Sequence, residues 1–150
     1  MKPTRKQLPH EAPLWVDTTD ADYFITICCK LRGTNQIALP AIAEELLETI
    51  EHRNKQGVWY AHIALVMPDH VHFLLSFPES ETRMQIIVSK WKEWAAKTLK
   101  IAWQRDFFEH RLRQEESFRE KADYILANPV RAGLVKEPEE WPYVFIAETY

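Results

Sequence analysis

The sequence predicts an α+β domain, an antiparallel β-sheet with helices packed mainly on one face. Three observations predict it. Runs rich in β-branched and aromatic residues at 23–29, 58–66, 70–77 and 107–113 have the composition of strands. Stretches with apolar residues every three or four positions, over 40–55 and 82–100, read as helices interrupting that series. Only Met67-Pro68-Asp69 lies between the second strand and the third, a length suited to an antiparallel hairpin.

Taken in order, residues 1–20 hold three prolines and no periodicity, and read as an irregular arm that Trp15 pins down. Residues 21–150 form a single domain. After the first strand comes a turn-like Arg32-Gly33-Thr34-Asn35. Ile42, Ala43, Leu46, Leu47 and Ile50 then make a helical stripe, with Pro40 suited to its first turn and Gly57 to its end. On the second helix Met84, Ile87, Val88, Trp91, Trp94 or Ala95, and Leu99 form the buried side, and Lys90, Lys92, Lys97 and Lys100 lie towards solvent. Aromatics interleaved with lysines suit nucleic acid, but tryptophan at helical spacing is more often core. Ser117 and Glu120 make a capping box for a helix running to about Asn128, where Pro129 ends it; Glu115 and Glu116 are alternative first-turn residues. An acidic, proline-punctuated segment over 137–143 leads to a short tail.

The length of 150 residues suits one domain with a real core, and no apolar run approaches the ~18 residues of a membrane span. A basic N-terminus without an apolar stretch behind it gives no secretory signal, so a cytoplasmic location is expected. Cys28 and Cys29 are adjacent on a strand and make no disulfide framework. The net charge of −3 argues against a general polyanion binder, although base gathers at 90–100 and 105–113.

The chemistry gathers in two segments. On an extended strand His70 and His72 share a face with Leu74 and Ser76, and Val71, Phe73, Leu75 and Phe77 line the other, packed face. Two neighbouring imidazoles can chelate one divalent ion; equally, an isolated H-x-H is often one surface histidine and one structural hydrogen-bonder. Tyr124 and Asn128, four apart on the last helix, share a face. A phenol can be a covalent nucleophile and a carboxamide oxygen can complete a hard ion's coordination. Alternatively, Tyr124 packs in the core and Asn128 caps the helix.

Three blocks in this order, Met67-Pro-Asp-His-Val-His-Phe-Leu-Leu, Trp103-Gln-Arg-Asp-Phe-Phe-Glu-His-Arg-Leu-Arg and Tyr124-Ile-Leu-Ala-Asn-Pro-Val-Arg-Ala-Gly-Leu-Val, resemble the REP-associated tyrosine transposases. These are relatives of the single-tyrosine HUH-class insertion-sequence transposases, and the resemblance covers 23–143. It implies a ferredoxin-like sheet and metal-dependent cleavage of single-stranded DNA next to hairpins through a 5′-phosphotyrosine. It makes His70 and His72 the metal pair, Asn128 the third ligand and Tyr124 the nucleophile. His110 and Arg111 match the family's strand-end pattern without a role being assigned. Imidazole and carboxamide ligands with open positions suit Mg²⁺ or Mn²⁺. The expected partner is single-stranded DNA with a REP-like hairpin, met by the arm and the basic helix, with Lys90, Lys97 and Arg111 as candidate contacts. No membrane is involved, and a monomer carrying its own Tyr124 is expected rather than a dimer. The rival functions are a non-cleaving DNA or RNA hairpin-binding module and a hydrolase that uses water in place of tyrosine.

Overall fold

The computed structural model describes residues 22–78, 83–112 and 115–147, and of Glu115 and Glu116 the backbone alone. The arm expected over 1–20, with Trp15, lies outside the described residues, as do Thr82 and Arg113 at the ends of two expected elements. Strands β1 (Asp22–Cys28), β2 (Tyr60–Met67), β3 (His70–Ser76), β4 (Phe108–Leu112) and β5 (Val144–Ile146) form one sheet. Its order is β4-β1-β3-β2-β5, and every neighbouring pair is antiparallel. Helices α1 (Pro40–Gln56), α2 (Met84–Leu99), α3 (Glu115–Leu126) and α4 (Asn128–Arg131) complete it, with a 3-10 turn at Pro138–Glu140. This is the expected α+β architecture.

Strand alternation divides the sheet's side chains between two cores. Ile25, Ile27, Val71, Phe73 and Leu75 point to one side, against Leu46 and Ile50 of α1 and Ile87, Val88 and Trp91 of α2. Trp59, Phe73 and Trp91 touch ring to ring at its centre. On the other side Phe24, Ile63, Leu65, Leu74 and Leu112 meet Phe118, Ala122 and Ile125 of α3. So α1 and α2 cover one face and α3 alone lies on the face that carries the histidines.

A bulge fixes where α3 sits. Between Ala61 and Ile63 the β2–β3 register shifts, and the extra residue, His62, turns to the α3 side. Its Nε2 lies 2.7 Å from Ser76 Oγ, which donates to Asp22 Oδ1 at 2.5 Å. Phe118 sets its ring edge-to-face on His62, with centroids 5.2 Å apart. That contact anchors the start of α3 at the Ser76 end of β3. Six residues on, a rise of about 9 Å, Tyr124 reaches the His72 end.

Four local expectations are corrected. Lys92 does not face solvent: it is buried, and its Nζ donates to the carbonyls of Gln104 at 2.9 Å and Arg105 at 3.0 Å. The helix carrying Tyr124 stops at Leu126, short of Asn128, and Pro129 sits in the first turn of the separate α4, where its missing N–H costs nothing. Ser117 lies two residues inside α3, which begins at Glu115, so it is not the cap. The segment after 143 is not a plain tail, because Val144–Ile146 pairs with Leu65, Ala64 and Ile63 of β2.

Candidate active site

On the α3 side of β3 the residues change from polar to apolar within a few positions. His70 and His72 come first, then Leu74, which α3 buries. The two imidazole centroids are 4.6 Å apart. His70 Nδ1 lies 2.8 Å from Asp69 Oδ1, and His72 Nδ1 lies 2.8 Å from Thr26 Oγ1. Beside a carboxylate, His70 Nδ1 carries the proton and donates it, which leaves the lone pair on Nε2. The Thr26 hydroxyl accepts likewise when His72 Nδ1 is protonated. No described residue hydrogen-bonds either Nε2.

Asp69 is itself gripped by the loop after β1. Arg32 Nε donates to its Oδ2 at 2.9 Å and the Gly33 N–H to the same oxygen at 2.7 Å. Gly33 has φ +86°, a conformation glycine adopts without steric cost, and this aims its N–H at the carboxylate. Burial pushes the Asp69 carboxyl up, but the bonds from Arg32, Gly33 and His70 outweigh it and hold the group well below the usual carboxylate range. Both imidazoles are pushed down by burial, His72 to about 3 with help from the charges of His70, Arg131 and Arg32. Burial thus keeps the pair neutral near pH 7, the form that binds metal.

Tyr124 approaches from the last turn of α3 and is 46% exposed. Its ring centroid lies 6.3 Å from that of His72 and 6.1 Å from that of Phe24, and Phe24 in turn stacks on His72 at 5.4 Å. The core alternative for Tyr124 therefore does not hold, since the ring stands at the rim of the polar half. Arg131 places its guanidinium carbon 4.0 Å from the ring centroid and donates from Nη2 to the Tyr124 carbonyl at 2.9 Å. Lys121 Nζ stands 5.5 Å from the same centroid. Asn128 opens α4 one turn beyond Tyr124; it is half-buried and its carboxamide makes no hydrogen bond with a described residue.

These observations fit a divalent ion. The two imidazole centroids lie 4.6 Å apart with neither Nε2 hydrogen-bonded by a described residue, each ring is oriented through its other nitrogen as metal-bound histidines are, and a carboxamide with no partner among the described residues lies one turn from Tyr124. Among the described residues no three His, Cys, Asp or Glu side chains cluster as a metal site, which leaves a third position to a carboxamide or to solvent.

The fold does not bring the candidate nucleic-acid contacts to this place. Lys90 and Lys97 are exposed on α2, across the sheet, and Lys97 faces Glu93 at 4.0 Å. Arg111 is exposed on the edge strand β4 opposite Tyr23, on the α2 side, whereas His110 pairs with Phe24 on the histidine side. Sequence reading passed over Asp69, Arg32, Thr26, Lys121 and Arg131. Asp69 was findable from its place beside His70, and Lys121 and Arg131 from helical offsets of three and seven from Tyr124.

No family model matches the chain. Over 84 residues it is 36% identical to the REP-associated tyrosine transposase of Escherichia coli (strain K12), covering 53% of this chain and 49% of that one, so it spans about half the length of that relative. Over 139 residues it is 30% identical to a Haemophilus influenzae protein whose name assigns it to the same group, covering 81% of this chain and 77% of the relative. A solved structure of a REP-associated tyrosine transposase bound to a REP hairpin shares the fold. It has a TM-score of 0.72 at 23% identity, over 89% of this chain and 81% of that one.

Proposed function

The chain belongs to the REP-associated tyrosine transposases, and from that premise we propose that it cuts and rejoins single-stranded DNA next to a REP-like hairpin. The observation that carries the reading is the exposed Tyr124 ring, 6.3 Å from His72 within one chain. In this reading Tyr124 Oη attacks the scissile phosphorus in line. The Oη–P bond forms, the P–O3′ bond breaks with its electron pair staying on the 3′ oxygen, and the phenol proton ends there by way of water. The products are a 5′-phosphotyrosine and a free 3′-OH. Attack by another 3′-OH reverses the step and joins strands without an external energy source.

His70 and His72 through Nε2, and Asn128 through its carboxamide oxygen, would hold the Mg²⁺ or Mn²⁺ that the family implies. A bound divalent ion supplies neutralisation of the phosphate and of the departing oxygen. Asp69 holds His70 in the ligating tautomer, Thr26 orients the His72 ring through Nδ1, and Phe24 supports that ring from one side. Because a single chain carries both the tyrosine and the histidines, the geometry favours a monomer. Among the described residues no helix is long and apolar enough to cross a membrane.

The test is covalent capture. Incubated with Mn²⁺ and hairpin oligonucleotides bearing a single-stranded flank, the protein should become attached to DNA in a denaturing gel. Tyr124→Phe should fold normally and form no adduct. Persistence of the adduct in that variant would remove Tyr124 as nucleophile. Hairpin binding that survives EDTA, with no cleavage under either ion, would leave a binding module.

A further inference from the structure

Two cations stand beside Tyr124 with no anion to explain them. Lys121 Nζ lies 5.1 Å from the Phe24 centroid and 5.5 Å from that of Tyr124, and the Arg131 guanidinium carbon lies 4.0 Å from the latter. Neither pairs with a carboxylate among the described residues, and Asp123, two residues from Lys121, faces Arg119 at 3.6 Å. Arg131 spends one N–H on the Tyr124 carbonyl and holds its guanidinium carbon over the phenol ring. Its other donors bond no described residue, and a guanidinium edge matches two phosphate oxygens. The lysine adds a mobile point charge within reach of the same ring. Lys90 and Lys97 on α2 and Arg111 on β4, by contrast, lie on the far side of the sheet.

We propose that Lys121 and Arg131 form a backbone phosphate clamp that seats single-stranded DNA against Tyr124. This rests on the reading of Tyr124 as nucleophile, and it adds the substrate contacts that reading lacks. Arg131 has a second duty as a positioning residue. Through the Tyr124 carbonyl, near where the chain passes from α3 to α4, it ties the end of α4 to the last turn of α3 and holds the ring in place.

The experiment measures binding and chemistry separately. Binding of a hairpin oligonucleotide pool with a randomised single-stranded flank is followed by fluorescence anisotropy over a KCl series, in a Tyr124→Phe background that cannot react. Lys121→Gln and Arg131→Gln should each make the slope of log affinity against log salt shallower by about 0.7, the value for one phosphate contact on a single strand. Arg131→Lys should keep the slope while weakening binding, because charge remains and the two-pronged geometry is lost. With Tyr124 restored, adduct formation at subsaturating DNA should fall about 10- to 100-fold in each glutamine variant, as for loss of a charge-assisted hydrogen bond. A purely structural role would lower the melting temperature and leave the salt slope unchanged. Unchanged slopes in both glutamine variants, with wild-type adduct intact, would overturn the clamp. Shallower slopes with no adduct in the wild type would uphold the clamp and overturn the nucleophile instead.

Discussion

At the scale of single residues, the site depends on which nitrogen of each imidazole is free. Asp69 settles this for His70, and its own charge is secured by Arg32 and the Gly33 N–H. Asp69→Asn keeps the volume but removes the charge, so the amide can present either a donor or an acceptor to Nδ1 and no longer enforces one tautomer. Titration calorimetry should show Mn²⁺ affinity lowered about 10- to 100-fold, the usual cost of losing such a supporting group. Affinity equal to that of the unaltered protein would mean that His70 is not a ligand. The H-x-H spacing was legible because strand alternation is strict; the grip of Arg32 on Asp69 was not, because the two are 37 residues apart and meet only through a loop.

At the scale of elements, the placement of α3 decides whether a tyrosine meets a histidine. The sequence carried the helix and its Tyr124–Asn128 spacing, but not the bulge at His62 that seats Phe118 and sets the helix along β3. Lys92 was assigned to solvent because helical periodicity weighs the head group; the fold buries the stem and gives the ammonium two carbonyls. β5 was missed because three residues carry no period and their pairing with β2 is long-range. The opposite layer holds the sheet rigid. Trp91 is fully buried between Trp59, Phe73 and Trp103. Trp91→Ala should cost about 3–5 kcal/mol in urea denaturation, as aromatic-to-alanine changes in cores do. A loss under ~1 kcal/mol would show that α2 is not held by this contact.

At the scale of the whole molecule, the sheet separates two tasks. One face, under α1 and α2, is apolar packing; the other is half core under α3 and half polar at the His70 end of β3, with Tyr124 exposed at its rim. An acidic chain with a net charge of −3 can serve DNA if its cations are local, and the Lys121–Arg131 pair beside Tyr124 meets that requirement. The fold class was readable from strand composition, helical periodicity and one short hairpin connection, and the family from three short blocks. Which basic residues share a face with the histidines was not, since that depends on the layer each helix joins. The most direct test is to map the attachment point. Digestion of the DNA-bound protein with trypsin should place the 5′-phosphodiester on the peptide 122–131, whose one tyrosine is Tyr124. A free 5′-phosphate with no modified peptide, or attachment at Tyr23, Tyr60, Tyr143 or Tyr150, would contradict the account.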